Sequence, residues 1–139
     1  MDMEKLLCDI EQVARRASRI MLDAHKPAEH KKEGHYNFVT DSDVAVQNML
    51  ISELGRLLPG ALFFAEEKEN QQLTDDYTFV IDPIDGTLNF MHGIPQYAVS
   101  IALAYRGEVV AGVIYDVAKN ELFTAAKGEG AFLDNRRIR

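Results

Sequence analysis

The first half of the chain carries apolar residues at helical spacing. Between residues 4 and 25 they recur every three or four positions, which predicts an amphipathic helix. A second stripe of this kind predicts a helix capped by a polar residue at 40–42 and ended by Pro59-Gly60. The stretch KPAEHKKEGHYN at 26–37 has no such period and predicts an exposed, mobile loop between the two helices.

Beyond Gly60 the pattern changes to short runs rich in β-branched and aromatic residues, which predict strands. The predicted strands are ALFFA, YTFVID, YAVSIALAY, EVVAGVIYD, ELFTAA and GAFL. Hairpin-short connections from Tyr97 onward predict antiparallel pairing. Two helices followed by such strands predict an α+β fold, with the helices on one face of a mostly antiparallel sheet. Several strands are apolar at nearly every position, so the other face also needs a cover.

Composition narrows the class of protein. A chain of 139 residues, 47% of them hydrophobic, predicts a single domain over 1–139. A net charge of -7 argues against direct nucleic-acid binding, because a phosphate backbone attracts basic surfaces. No apolar run is long enough for a membrane span or a secretion signal, so we expect a cytoplasmic protein without a membrane partner. The single cysteine, Cys8, fits a reducing compartment, and we expect it to be buried in the first helix.

The stretch VIDPIDGTLNF at 80–90 places acidic residues at the end of an apolar strand. Burying Asp82 and Asp85 without a positive partner would cost several kcal/mol each, so a cation is the natural partner. Pro83 fixes one backbone angle and Gly86 permits an unusual one, so the turn can aim both carboxylates and the Ile84 carbonyl at one point. Ligand sets made only of oxygen atoms favour Mg²⁺.

Two neighbouring features extend this candidate site. Glu66 and Glu67 follow another apolar strand, and Gly86-Thr87 precedes a segment whose first N–H groups could receive a phosphate if it is helical. Taken alone, a Glu pair is typical of a solvated strand end, and Asp-x-x-Asp is typical of a hydrogen-bonded turn. The flanking proline and glycine favour the metal interpretation, because a solvated turn does not need such fixed geometry.

With these residues in place, the sequence resembles the inositol monophosphatase family of Mg²⁺-dependent, lithium-sensitive phosphatases. The resemblance rests on Lys32 after the first helix, VTDSD at 39–43, AEE at 65–67, DPIDGTLNF at 82–90 and GVIYDVAKNELFTAAKGEGAFLDN at 112–135. It implies the first half of a layered αβαβα sugar-phosphatase fold. Members of the family are roughly double this length, so it also implies that 1–139 is an N-terminal metal-binding domain whose C-terminal partner domain is absent.

The resemblance implies two or three Mg²⁺ ions in the complete family site. Glu66, Asp82 and the Ile84 carbonyl would hold the first ion. Asp82 would bridge to a second ion, which Asp85 also binds. A further aspartate for the second ion would come from the other half of the family fold.

The resemblance also implies catalytic and substrate-binding roles. Thr87, hydrogen-bonded to Asp43, would orient a metal-activated water with Glu66 nearby, and this water would attack phosphorus directly. The N–H groups of Gly86 and Thr87 would hold the phosphate, and Lys32 is a candidate loop contact.

The activity implied is that of a phosphomonoesterase acting in its full-length form on inositol monophosphate or a similar sugar phosphate. The alternatives are a fructose-1,6-bisphosphatase or 3'(2'),5'-bisphosphate nucleotidase of the same fold, or a non-catalytic regulatory fragment. A homodimer is expected in each case. The sequence departs from the family pattern at Ala65, where glycine is common, and at Leu88, where a second threonine is common. Neither change removes a ligand.

Overall fold

A computed structural model describes residues 2–23, 29–32, 35–65 and 76–138 of the chain. Its two long helices are α1, Met3–Asp23, and α2, Asp41–Leu57, which pack against each other. Both were predicted, and α2 begins with Asp41 and Asp43 in its first turn, where negative charge is favourable. Among the described residues, no helix combines the length and the apolar character that a bilayer crossing requires.

The prediction for Cys8 was wrong, because its side chain is exposed. The buried side of α1 runs through Leu6, Ile10 and Val13. Cys8 lies two residues beyond Leu6, a rotation of about 200° around the helix, which turns it away from that side.

The predicted loop at 26–37 was also partly wrong. Residues Glu29–Lys32 form β1 and residues His35–Thr40 form β2, which pair as an antiparallel two-stranded sheet. Cross-strand pairing satisfies backbone groups whatever the side chains are, so a polar segment without a clear two-residue period can still form a hairpin. The other residues of 26–37 lie outside the described part of the chain.

The main sheet has seven strands in the order β3-β4-β5-β6-β7-β8-β9. Their bounds are Leu62–Ala65, Thr78–Asp85, Ala98–Tyr105, Glu108–Asp116, Glu121–Ala126, Gly130–Leu133 and Arg136–Ile138 for β3 to β9. β3 pairs parallel with β4, and every later pair is antiparallel. This confirms the predicted α+β fold with a mostly antiparallel sheet. The last strand, β9, was not predicted.

The hydrophobic core lies between the two helices and one face of this sheet. Side chains of β4, β5 and β6 that share this inner face include Phe79, Ile101 and Val113, each at most 1% exposed. They pack with the buried sides of α1 and α2 in a single cluster. The outer face carries apolar residues that remain partly or largely exposed, among them Val80 at 36% and Ile114 at 48%. This packing holds β4, β5 and β6 in place and so fixes the positions of their ends.

Candidate metal and phosphate site

A β-bulge near the end of β4 brings the two predicted metal-ligating aspartates to the same face of the sheet. Asp82 pairs with Ser100 and Asp85 pairs with Ala98, so three steps along β4 match two steps along β5. Residues three apart on a regular strand point to opposite faces, because side chains alternate. The extra residue restores a common face for Asp82 and Asp85.

Pro83 and Ile84 are the residues between the two aspartates. Both are buried, Ile84 at 2% exposure, whereas Asp82 is half-buried and Asp85 is exposed. Proline lacks an N–H and is tolerated in a central strand only at irregular positions, so its place beside the bulge fits the local pairing. The buried Ile84 side chain anchors the turn to the core and leaves the carboxylates at the strand end.

Gly86 follows directly and begins a short helix, α3, Thr87–Met91. Its backbone is left-handed, with φ 93° and ψ 41°, a conformation that costs little only for glycine. A Cβ at this position would lie 2.7 Å from the Gln96 carbonyl oxygen, which is closer than such atoms approach. Glycine is therefore required here both for its backbone angle and for the contact with Gln96.

The Thr87 hydroxyl joins this turn to α2. Its oxygen lies 3.1 Å from Oδ1 of Asp43 and 3.0 Å from the carbonyl oxygen of Ile84, and both are hydrogen-bond acceptors. A hydroxyl has one proton, so it can donate to only one of these at a time and keeps lone pairs that accept from a third group. The hydrogen bond between Thr87 and Asp43 expected from the sequence is present, across 44 residues of chain.

Other predicted site residues are not brought together in the described part of the structure. Glu66 and Glu67 lie outside the described residues. Lys32 is the last residue of β1, and its side chain also lies outside that part. Among the described side chains no group of three or more His, Cys, Asp or Glu could hold a metal ion. The candidate ligands within the described residues are two carboxylates and one carbonyl, which are oxygen donors of the kind that Mg²⁺ prefers.

Sequence reasoning missed a contact on the far side of Gly86. The Asn89 side chain donates a hydrogen bond from Nδ2 to the Gln96 carbonyl oxygen, at 2.9 Å. This is the same carbonyl that approaches Gly86. No periodicity or spacing signals a side-chain bond to a backbone carbonyl seven residues away, so only the fold reveals it.

Comparisons with known proteins agree with the observed fold. The model of the inositol monophosphatase family matches residues 2–139. An inositol-1-monophosphatase of Mesorhizobium japonicum is 43% identical over 108 residues, covering 77% of this chain and 41% of the relative. A fructose-1,6-bisphosphatase/inositol-1-monophosphatase of Thermotoga maritima is 40% identical over 109 residues, covering 78% and 42%. Nus factor SuhB of Salmonella typhimurium is 36% identical over 141 residues, covering 99% and 53%.

Solved structures show the same architecture. An IMPase from Thermotoga maritima superposes with a TM-score of 0.84 at 32% identity, covering 100% of this chain and 54% of that one. An IMPase/NADP phosphatase complexed with NADP and Ca²⁺ has a TM-score of 0.80 at 26% identity, covering 99% and 52%. SaIMPase-II, bound to inositol monophosphate, has a TM-score of 0.77 at 25% identity, covering 100% and 49%.

The chain spans about half the length of the curated relatives it matches, between 41% and 54% in the alignments with the first of them. The family match nevertheless includes nearly every residue of the chain. This chain belongs to the inositol monophosphatase family.

Proposed function

We propose that this chain is the N-terminal, metal-binding half of a Mg²⁺-dependent phosphomonoesterase acting on inositol monophosphate or a similar sugar phosphate. The observation that supports this most strongly is the β4 bulge, which gives Asp82 and Asp85 a common face at the strand end. Family membership supports the phosphatase class.

Asp82, Asp85 and the Ile84 carbonyl would hold Mg²⁺, with Glu66 as a further ligand. The donor set fits this ion, because Mg²⁺ prefers oxygen atoms, keeps several waters and shares its shell with phosphate oxygens. A solved relative complexed with NADP and Ca²⁺ supports a divalent-cation site in this fold. When bound, the metal would lower the pKa of a water molecule and neutralise charge on the phosphate.

Thr87 and Asp43 would orient the attacking water. The Asp43 carboxylate can accept a hydrogen bond from the Thr87 hydroxyl, whose oxygen can then accept a hydrogen bond from water. Such a pair fixes the direction of the water and offers a route for its proton. The N–H groups of Gly86 and Thr87 would hold the phosphate, and Lys32 would contact the substrate from the β1–β2 hairpin.

Two findings bear on the substrate. SaIMPase-II is described as bound to inositol monophosphate, which supports a sugar-like alcohol carrying a single phosphate. The relative from Thermotoga maritima is named for both fructose-1,6-bisphosphatase and inositol-1-monophosphatase activity, which favours fructose-1,6-bisphosphate as the second candidate. Assaying both compounds side by side distinguishes them.

Two further proposals concern association. A relative named Nus factor SuhB supports, as an alternative, a non-catalytic role through protein contacts. A homodimer is proposed in either case, because exposed apolar residues such as Ile114 on the outer sheet face favour contact with another surface.

The proposed site is tested first by Mg²⁺ binding. Thermal unfolding should shift upward with Mg²⁺, since a ligand at a hundredfold of its Kd stabilises by about 2.7 kcal/mol. Asp82→Asn should abolish this response, whereas Asp9→Asn, which lies on α1 and not on β4, should keep it. An unmutated chain whose melting ignores Mg²⁺ would contradict the metal site.

Catalysis is tested by phosphate release from inositol monophosphate, with Mg²⁺ and then with added lithium. Lithium-sensitive release by the full-length protein, lost in Asp82→Asn, is the expected result, and the 139-residue chain is assayed beside it to decide whether this half turns over alone. Mg²⁺ binding without release would refute activity of this chain alone and retain the metal site. An Asp82→Asn variant that still turns over would reject the proposed mechanism.

A further inference from the structure

The segment that carries Thr87 leaves the sheet and returns to it at a single point. Asp85 and Ala98 are paired residues of β4 and β5, so residues 86–97 form an excursion whose two ends are adjacent. Backbone hydrogen bonds within this segment hold it together. The Phe90 N–H donates to the Gly86 carbonyl at 3.0 Å, and the Ile94 N–H donates to the Asn89 carbonyl at 2.8 Å. The conformation at Gly86 therefore depends on how this excursion is folded.

The return leg of the excursion packs directly on Gly86. An added Cβ there would meet the Gln96 carbonyl oxygen at 2.7 Å and the Tyr97 Cα at 3.4 Å. Tyr97 is itself held, since its ring packs edge-on against Phe90 with centroids 5.2 Å apart. A shift of the Gln96 backbone would therefore displace the Gly86 backbone directly, because no side chain lies between them.

The Asn89 carboxamide lies where it can control that contact. Its Nδ2 atom is 2.9 Å from the Gln96 carbonyl oxygen and 3.5 Å from the position of the added Cβ at Gly86. The carbonyl of the same residue accepts the Ile94 N–H. Asn89 therefore binds the return leg through both its side chain and its backbone.

We infer that Asn89 is a positioning residue, whose hydrogen bond to Gln96 fixes the backbone of Gly86 and Thr87 in the orientation the phosphate needs. The inference rests on the proposed function for its consequence, phosphate binding, but not for its structural content. Asn89 itself is not a catalytic residue. Its bond supports the left-handed Gly86 and, through it, the start of α3 that carries Thr87.

The test uses the 139-residue chain with Asn89→Asp, which keeps the shape but loses the donor, and Asn89→Ala as a second variant. Asn48→Ala, at an exposed position of α2, is the matched control. Amide hydrogen exchange is followed at Phe90 and Ile94, whose N–H groups close the excursion, and at Ile101 and Val113 in the sheet.

In both Asn89 variants exchange at Phe90 and Ile94 should accelerate about tenfold, the effect of losing about 1.4 kcal/mol of local stability. Exchange at Ile101 and Val113 should not change, and Asn48→Ala should change neither pair. With Mg²⁺ present, the Kd for inorganic phosphate should rise about tenfold, while the Mg²⁺ response of thermal unfolding is retained.

Each other outcome is decisive. Unchanged exchange at Phe90 and Ile94 overturns the positioning role. Equal acceleration at Ile101 and Val113 also overturns it, because the bond would then act on global stability alone. If the unmutated chain binds neither Mg²⁺ nor phosphate, the proposed function fails, and the exchange result still decides for or against the role of Asn89.

Discussion

Replacing Gly86 by alanine tests the close approach at the centre of the site. At φ 93° an alanine would adopt a left-handed backbone, which costs about 1–2 kcal/mol. Its Cβ would also lie 2.7 Å from the Gln96 carbonyl oxygen. Moving the backbone to relieve this overlap costs about 1–3 kcal/mol. The free energy of unfolding should therefore fall by about 2–5 kcal/mol in Gly86→Ala.

Gly60→Ala separates the two contributions. Gly60 has φ 86°, close to that of Gly86, but an added Cβ there would meet no atom within 4 Å. This variant should lose only about 1–2 kcal/mol, the cost of the backbone conformation. The difference between the two variants measures the contact with Gln96.

The assay is urea unfolding followed by far-ultraviolet circular dichroism, with an unchanged m-value confirming that both variants unfold from the same compact state. Losses that agree within about 0.5 kcal/mol would show that the contact with Gln96 adds no measurable cost, because that is the error of such comparisons between independent sites. Glycine would then be required at position 86 for its backbone angle alone.

Further predictions concern Thr87, Glu11 and Cys8. In the full-length protein, Thr87→Val should keep the Mg²⁺ response but eliminate turnover. Thr87→Ser should restore turnover, because the hydroxyl that reaches Asp43 is then present again. Equal loss of turnover in both variants would reject the role of the hydroxyl. Partial burial raises the pKa of Glu11 above 4.5, opposed by the charge of Arg15. Its contribution to stability is therefore greatest below pH 4.5 and is lost as pH rises through the raised pKa of the folded state, so Glu11→Gln should flatten that part of a stability–pH curve, and an unchanged slope would contradict this. The exposed Cys8 thiol should react with Ellman's reagent without denaturant, and a reaction that requires urea would show it to be buried.

Elements with a strong hydrophobic periodicity were predictable from the sequence, whereas elements defined only by strand pairing were not. The spacing of Leu6, Ile10 and Val13 predicted α1, since apolar residues at this spacing cover one side of a helix. Strand β9, Arg136–Ile138, has three exposed residues and no alternation, so only its pairing with β8 defines it. The β1–β2 hairpin was missed because its sequence has no clear two-residue period, so only the pairing of its strands defines it.

For the candidate site, the sequence predicted the local turn but not its connections. Asp82, Pro83, Asp85 and Gly86 lie within five consecutive residues, so their chemistry can be interpreted without a fold. The bond from Thr87 to Asp43 crosses 44 residues and was implied only by family resemblance. The Asn89 bond to Gln96 has no sequence signal, because it depends on the path of the backbone after α3.

The bulge explains why the acidic motif has an odd spacing. On a regular strand, carboxylates two residues apart share a face, but the residue between them then occupies the opposite face and nothing alters the strand direction. A spacing of three with one bulged residue gives the same shared face and also bends the strand, because bulges increase local twist. It further allows Pro83, which lacks the N–H a regular ladder requires, and places the Ile84 carbonyl within 3.0 Å of the Thr87 hydroxyl. One irregularity in β4 thus sets the positions of both carboxylates and connects them to the hydroxyl that Asp43 also contacts.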